Sequence, residues 1–549
     1  MTKHNKLSLT LLIGALCSTG ALHAQDLAEA KKAIKGDQLD KAKHILKNLI
    51  DSKPNEGENY YYLGDIYLQE SQVDSAKYFF NQGVSVKKKG SLNYIGLGQI
   101  DLDSSNLTEA KDKFAKAEKE MRKKDYHEQL LVAAAYLNSK NPNVEEAERI
   151  AKKVLEQDYQ NAYAFFIVAK ANLAKNNYNE AYAAFSDAAI LDPNLLEARM
   201  ELAIITKRTR AFKEAINSLN EINKEFPDYA PVYREIADTY YLWSTTNKAD
   251  ESDLLAKAND NYKKYVSATD NSLEAKMRYA KFLAQSNNYK ELEILAEDLV
   301  KSKGVNDRVY EYLAVATFNN GNYAKSSTAI ESIKNKSAEN YLQLGISYLK
   351  QGQHTYSKGI ESLKKAVQVD SKIASSFNTY GIELFRADKF QEAIDLLSIS
   401  AEVKDQSNYS YDNYYIAYCY YSLGLDMKEG QEDYMKQAVK YFDRTIASAP
   451  NITESYFFQA RAYRNINSEE AYEARFKAYQ TFEKVVLANS KETELSDSDK
   501  SRLVEAYNAM GAYYANIDDI SNAKDMFNKT LQYEANNEFA VQTLKAISN

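Results

Sequence analysis

The sequence predicts an all-α solenoid of antiparallel helix pairs, and three observations carry that prediction. Apolar residues fall three or four apart, the spacing of one helical face. They do so in two runs joined by a short polar turn, and this two-run unit returns about every 34 residues. The repetition also consumes nearly all of the 549 residues, leaving no stretch for an appended catalytic domain.

The stretch 162–194, AYAFFIVAKANLAKNNYNEAYAAFSDAAILDPN, shows the unit in full. Phe165, Val168, Ala169 and Asn172 share a face in the first run, and Ala181, Phe185 and Ala188 do so in the second. Lys175-Asn176-Asn177 turns the chain between them. Ala169 and Ala181 are small enough to let the two helices approach, Phe185 fills the remaining gap, and Pro193 cannot continue the helix. The arrangement resembles the tetratricopeptide (TPR) repeat: an aromatic, Leu-Gly and Tyr in helix A, Ala and Phe in helix B, and Pro after it. The resemblance implies a right-handed superhelix in which neighbours stabilise each unit and helix A lines a concave groove.

Taken in order, repeat one keeps a helix B signature (Ala42, Leu46, Leu49, Pro54) behind a weak helix A (Leu27, Ala30, Ala33). Terminal repeats are often atypical because one face meets solvent. Repeat two has Tyr60, Leu63, Gly64 and Tyr67, then Ala76, Phe80 and Gly83; repeat three has Tyr94, Leu97 and Gly98, then Ala110, Phe114 and Ala117. Repeat four is looser (Ala134, Leu137, Ala147, Val154), five is the unit quoted above, and six has Leu202, Ala203, Ala215, Leu219 and Pro227. In repeat seven an insertion from Trp243 into Asp253 separates Tyr233, Ile236, Ala237 and Tyr240 from Ala258, Tyr262 and Tyr265. Repeats eight (Ala280, Leu283, Leu292, Leu299) and nine (Tyr310, Leu313, Ala314, Ile330, Ile333) are degenerate. A bend or break is therefore expected there, dividing an N-terminal array, 25–306, from a C-terminal one, 307–537.

The signature returns in repeat ten (Leu344, Gly345, Tyr348, Gly359, Leu363, Ala366) and eleven (Phe377, Tyr380, Gly381, Ala393, Leu397). Repeat twelve has Ile416, Ala417 and Tyr420, an insertion near 425–433, and then Ala438, Phe442 and Pro450. Repeat thirteen (Ala460, Tyr463, Ala478, Phe482, Val485) precedes a polar, acidic segment, 490–501, that reads as a mobile loop or a lengthened helix start. Repeat fourteen is strong (Tyr507, Met510, Gly511, Tyr514, Ala523, Phe527, Thr530), and 538–549 reads as a capping helix.

Ahead of the repeats, 1–24 reads as a secretory signal peptide. Lys3, His4 and Lys6 are followed by an apolar run and by small residues up to Ala24. A lipoprotein reading would use Cys17, where Leu16 is bulkier than a lipobox prefers. Localisation is thus expected to be exported, with the periplasm favoured over outer-membrane association or release. No other run approaches the roughly 20 apolar residues of a membrane span. Removing Lys3 and Lys6 takes the formal charge from -7 to -9, a poor balance for binding nucleic acid. Cleavage leaves Cys419 alone, so no intrachain disulfide forms, and its aromatic surroundings read as those of a buried, inert thiol.

Catalysis needs acids, bases or nucleophiles within hydrogen-bond reach of one another. His44, His127 and His354 fall in repeats one, four and ten, and no phosphate loop or nucleophile elbow is present. Paired carboxylates such as Glu145-Glu146, Glu469-Glu470 and Asp518-Asp519 read as helix-start charges. No enzyme, metal or cofactor is expected.

Binding is expected instead, because the resemblance implies which helix A positions face the groove. In repeat twelve they are Tyr411, Tyr414, Tyr418 and Tyr421, one stripe at spacings of three, four and three. The same register gives Phe385 and Arg386 in repeat eleven, and Phe457, Arg461 and Arg464 in repeat thirteen. An aromatic floor beside guanidinium groups suits an extended peptide or a sugar chain. The alternative is that tyrosine is simply this chain's packing residue, as at Tyr60-Tyr61-Tyr62. The leading reading is a scaffold of the bacterial cell envelope that holds partner proteins or peptides; the second is a solenoid that binds peptidoglycan or surface polysaccharide.

Overall fold

A computed structural model of the chain describes residues 26–122, 124–302, 305–490 and 495–547. The leader and Cys17 lie outside the described residues. Among those described are 29 α-helices, two short 3-10 turns and one isolated bridge between Glu56 and Lys88, with no strand. The helices form fourteen antiparallel pairs and one closing helix, Glu538–Ala546. Within each unit most helices pack on their predecessor and successor in the chain, and the first helices of several neighbouring repeats also meet. Two compact units result: 1–305 holds eight pairs, and 306–549 holds six pairs and the closing helix.

The pairs close where the sequence puts a small residue opposite a large one. In repeat two (Gly57–Gln69 and Val73–Val84) a Cβ added at Gly64 would lie 2.5 Å from the Phe80 ring. The same clash would arise at Gly98 against Phe114 (2.6 Å) and at Gly511 against Phe527 (2.8 Å). In the quoted unit (Ala162–Ala174 and Tyr178–Leu191) Ala169 and Phe185 are both fully buried. This is the helix-pair architecture that the TPR resemblance implies.

The turn inside eight of the repeats is equally regular. Asp37, Ser71, Ser105, Asn176, Arg210, Asn287, Asp388 and Asp518 all sit in the left-handed region, with φ between 55° and 66°. The next residue then bonds back to the end of the first helix: Gln38 N to Ala33 O at 2.9 Å, Gln72 N to Tyr67 O at 2.8 Å, Asn106 N to Asp101 O at 2.8 Å. This is the six-to-one closure of a Schellman turn, made without its usual glycine. Asn and Asp tolerate that conformation, whereas the exposed Arg210 carries the steric cost of a Cβ at φ 66°. Arg210→Gly is therefore expected to raise stability by about 0.5–1 kcal/mol, read as a higher midpoint in urea. A lower midpoint would contradict this account of the turn.

The insertions are absorbed as extra helical turns rather than as loops. Repeat seven lengthens to Pro231–Thr246 and Glu251–Ala268, and repeat twelve to Tyr409–Leu425 and Gln431–Ser448. From Asp497 onward the acidic segment after Glu469–Asn489 is the start of a 20-residue helix, Asp497–Asn516, whose amino end is capped by Ser496. Acidic side chains in a first turn are favoured by the helix dipole, so Asp497 and Asp499 suit a helix start as well as a loop. The degenerate repeats still form full pairs (Leu273–Gln285 with Tyr289–Val300, Asp307–Asn319 with Tyr323–Glu331), the last helix being only nine residues long.

Candidate functional site

Within 306–549 the residues expected to line the groove separate into an interlocked ladder and an exposed fringe. Tyr411 is 55% exposed, Tyr414, Tyr418 and Phe385 are half-buried, and Arg386 and Arg464 are exposed. Tyr421 and Phe457 are buried. The ladder runs from repeat to repeat: Phe385 (on Phe377–Arg386) lies 5.5 Å from Tyr418, which lies 6.3 Å from Tyr414 and 4.7 Å from Phe458 (on Thr453–Tyr463). Tyr421 joins it at 5.7 Å from Phe458, and Phe458 meets Phe457 at 5.4 Å. Edge-to-face contacts of this kind exceed simple area burial in strength. The tyrosines therefore both pack the joints between repeats and leave the Tyr411 ring, and parts of Tyr414 and Tyr418, open.

Charge sits beside these rings in fixed places. Arg461 lies 4.6 Å above the Phe457 ring and forks onto Glu505 at 2.9 and 2.5 Å. Tyr479 donates its hydroxyl to the same carboxylate at 2.8 Å. Arg502 lies 5.6 Å from the Phe457 ring and pairs with Glu454 at 3.1 Å. Burial pushes the Glu505 carboxyl up, but the bonds from Arg461 and Tyr479 outweigh it and hold the group below its ordinary value. Arg464 adds its positive charge to the same carboxylate. Both guanidinium groups are thus held in one orientation, with Arg461 37% and Arg502 22% exposed.

Beneath the stripe, Asp412 is fully buried and accepts from Ser400 (2.6 Å), Gln406 (2.8 Å) and Asn378 (2.8 Å). Burial raises its pKa and the three donors oppose the rise. This knot ties repeat eleven to repeat twelve and fixes the register of the helix that carries Tyr411 and Tyr414. Phe458, Arg502, Glu505 and Asp412 were not among the residues expected from sequence. Glu505 falls at the groove position of repeat fourteen that matches Tyr411 in repeat twelve, so extending the register by one repeat would have found it. Arg502 lies just past the segment read as loop or helix start, which hid it.

Within 1–305 ion pairs link consecutive repeats: Lys31 with Glu58 (2.7 Å), Lys170 with Glu201 (2.9 Å) and Lys207 with Glu235 (2.9 Å). Tyr61 is buried there, and Asp65 is half-buried. Burial pushes Asp65 up to about 6, against a hydrogen bond from Gln69.

Elsewhere, His44, His127 and His354 are exposed on separate repeats. Cys419 is fully buried, and burial pushes its thiol up to about 12. Glu146 pairs with Arg149 in a first helical turn, and Asp519 caps Ile520–Tyr533, as helix-start charges do. Among the described residues no group of three or more His, Cys, Asp or Glu is placed to hold a metal, and no helix is long and apolar enough to cross a membrane.

No family model and no curated protein matches the chain. Among solved structures, it is similar to the C-terminal part of a TPR repeat-containing protein from Cytophaga hutchinsonii (20% identity, 49% of this chain and 99% of that one, TM-score 0.32). It is also similar to a tetratricopeptide repeat protein from Parabacteroides merdae (17% identity, 45% and 93%, TM-score 0.31). A third likeness is to the Cut9-Hcn1 hetero-tetramer of the APC/C (13% identity, 98% and 99%, TM-score 0.23). The assignment of helix pairs stands on this chain's own packing.

Proposed function

With the chain established as an array of TPR-type helix pairs, we propose that it is a non-enzymatic scaffold of the bacterial cell envelope that holds an extended segment of a partner protein on its C-terminal unit. The observation that carries this reading is the fixed pair Arg461 and Arg502 beside the partly open rings of Tyr411, Tyr414 and Tyr418. Ordered guanidinium groups next to aromatic edges bind backbone carbonyls and acidic side chains with little further ordering cost. The scattered histidines and inert thiol support a binding role over a catalytic one. Export to the periplasm rests on the 1–24 leader reading.

The test is capture from envelope extracts with full-length protein, comparing wild type, Tyr414→Phe/Tyr418→Phe and Tyr414→Ala/Tyr418→Ala. The partner should survive the Phe pair and fall at least about tenfold with the Ala pair, the scale of one or two interface hot spots. An Ala pair that is less stable yet keeps its partner would show that these rings serve packing alone. A glycan needs a flat exposed ring, and within this stripe only Tyr411 offers most of one. A mobility shift in peptidoglycan or surface polysaccharide, without protein capture, would favour the sugar reading instead.

A further inference from the structure

Inside 1–305 the first repeat reaches across to the sixth and seventh. The turn between Leu27–Lys35 and Leu39–Ser52 places the Asp37 carboxylate 3.0 Å from Arg234 Nη1 and 3.0 Å from the Tyr265 hydroxyl, which donates to it. Gln38 Nε2 donates to the carbonyl of Ala268 at 3.0 Å, Lys35 lies 3.4 Å from Glu197, and Lys32 lies 3.6 Å from Asp228. Arg234 and Glu197 occupy helix A positions of the same register as Tyr414 and Tyr411. The turn therefore rests on the groove face of repeats six and seven.

Two features mark this contact as a reversible one. The contacts named above are all polar, and the apolar cluster around the first repeat draws on repeats one and two. Its core is also semi-open, with Asp37 29% and Arg234 20% exposed. Exposed and half-exposed ion pairs contribute little and weaken with salt. The geometry points to a latch: the Asp37-Gln38 turn is an intramolecular occupant of the groove of 1–305, which closes that groove to a segment of another protein until the turn is released. The socket it fills selects a carboxylate, so a segment that takes its place must present an acidic side chain to Arg234.

This goes beyond the proposed C-terminal binding site, and its test reads the N-terminal unit alone, with no partner present. Nitroxide labels at Lys53→Cys and Lys264→Cys, both exposed, report the separation of repeats one and seven in the full chain carrying Cys17→Ser, while buried Cys419 stays unlabelled. Asp37→Gly removes the carboxylate and suits the φ of 56° at that position, so the turn itself is preserved. Arg234→Gln removes the receiving charge. Wild type should give one short, narrow distance distribution at about 0.05 M salt, and each variant should add a longer-distance population. Raising salt to about 0.5 M should produce that population in wild type and change the variants little. If both variants keep the wild-type distribution at low salt, the latch is overturned.

Discussion

Phe80→Ala is expected to lower stability by about 3–5 kcal/mol, the cost of emptying a large, closed core site. The Phe80 ring is fully buried and touches two glycines at once: a Cβ would lie 2.5 Å from it at Gly64 and 2.2 Å from it at Gly96. The first contact is internal to repeat two; the second is with the helix Leu92–Asp103 of repeat three. In a solenoid each interface is a nearest-neighbour interaction, so this one truncation weakens a repeat and its joint together. Neither glycine can supply atoms to refill the space. Urea unfolding followed by circular dichroism would show a lower midpoint and an earlier loss of repeats one and two. A loss under about 1 kcal/mol would mean that the joint between repeats two and three is held by something other than this ring.

The second large effect concerns pH. Asp65 has a folded-state pKa of about 6 against 3.8 for the free side chain. The folded protein thus holds this proton more tightly than the unfolded chain does. Between those two values the folded state carries more protons, so stability rises as the pH falls from about 6 towards about 4, and the full penalty is present at neutral pH. A difference of about two pKa units corresponds to roughly 3 kcal/mol, which the partial exposure of Asp65 trims to about 2. Asp65→Asn is expected to gain that amount near pH 7.5 and only about a third of it near pH 4.5, measured as the difference in Tm between variant and wild type at each pH. Equal gains at both pH values would show that charge burial at Asp65 is not the cause.

The fold was legible because the pairing of small and large residues recurs with a fixed spacing. The close approach expected of Ala169 and Ala181 around Phe185 recurs at the same spacing in Gly64 with Phe80, Gly98 with Phe114 and Gly511 with Phe527. What the pattern did not convey was how insertions are absorbed. Extra residues in repeats seven and twelve extend existing helices, because a helix lengthens by one bond per residue whereas a new loop must be closed at an entropic cost. The C-terminal floor was legible as a stripe on one helix. Its charged half was not, since the partners of Arg461 and Phe457 come from another repeat, more than forty positions along the chain. The contact of Asp37 with Arg234 spans 197 positions and joins two ordinary-looking residues, so no local pattern announces it.

That last contact sets a ruler on the N-terminal unit. Most repeat arrays tolerate duplication or loss of a module, because every joint is alike. Here Asp37 must arrive opposite Arg234, so the number of modules between them is counted by the molecule itself. A lineage that added or dropped one would leave a carboxylate and a guanidinium stranded out of register, which ties the size of this array to a single pair of side chains.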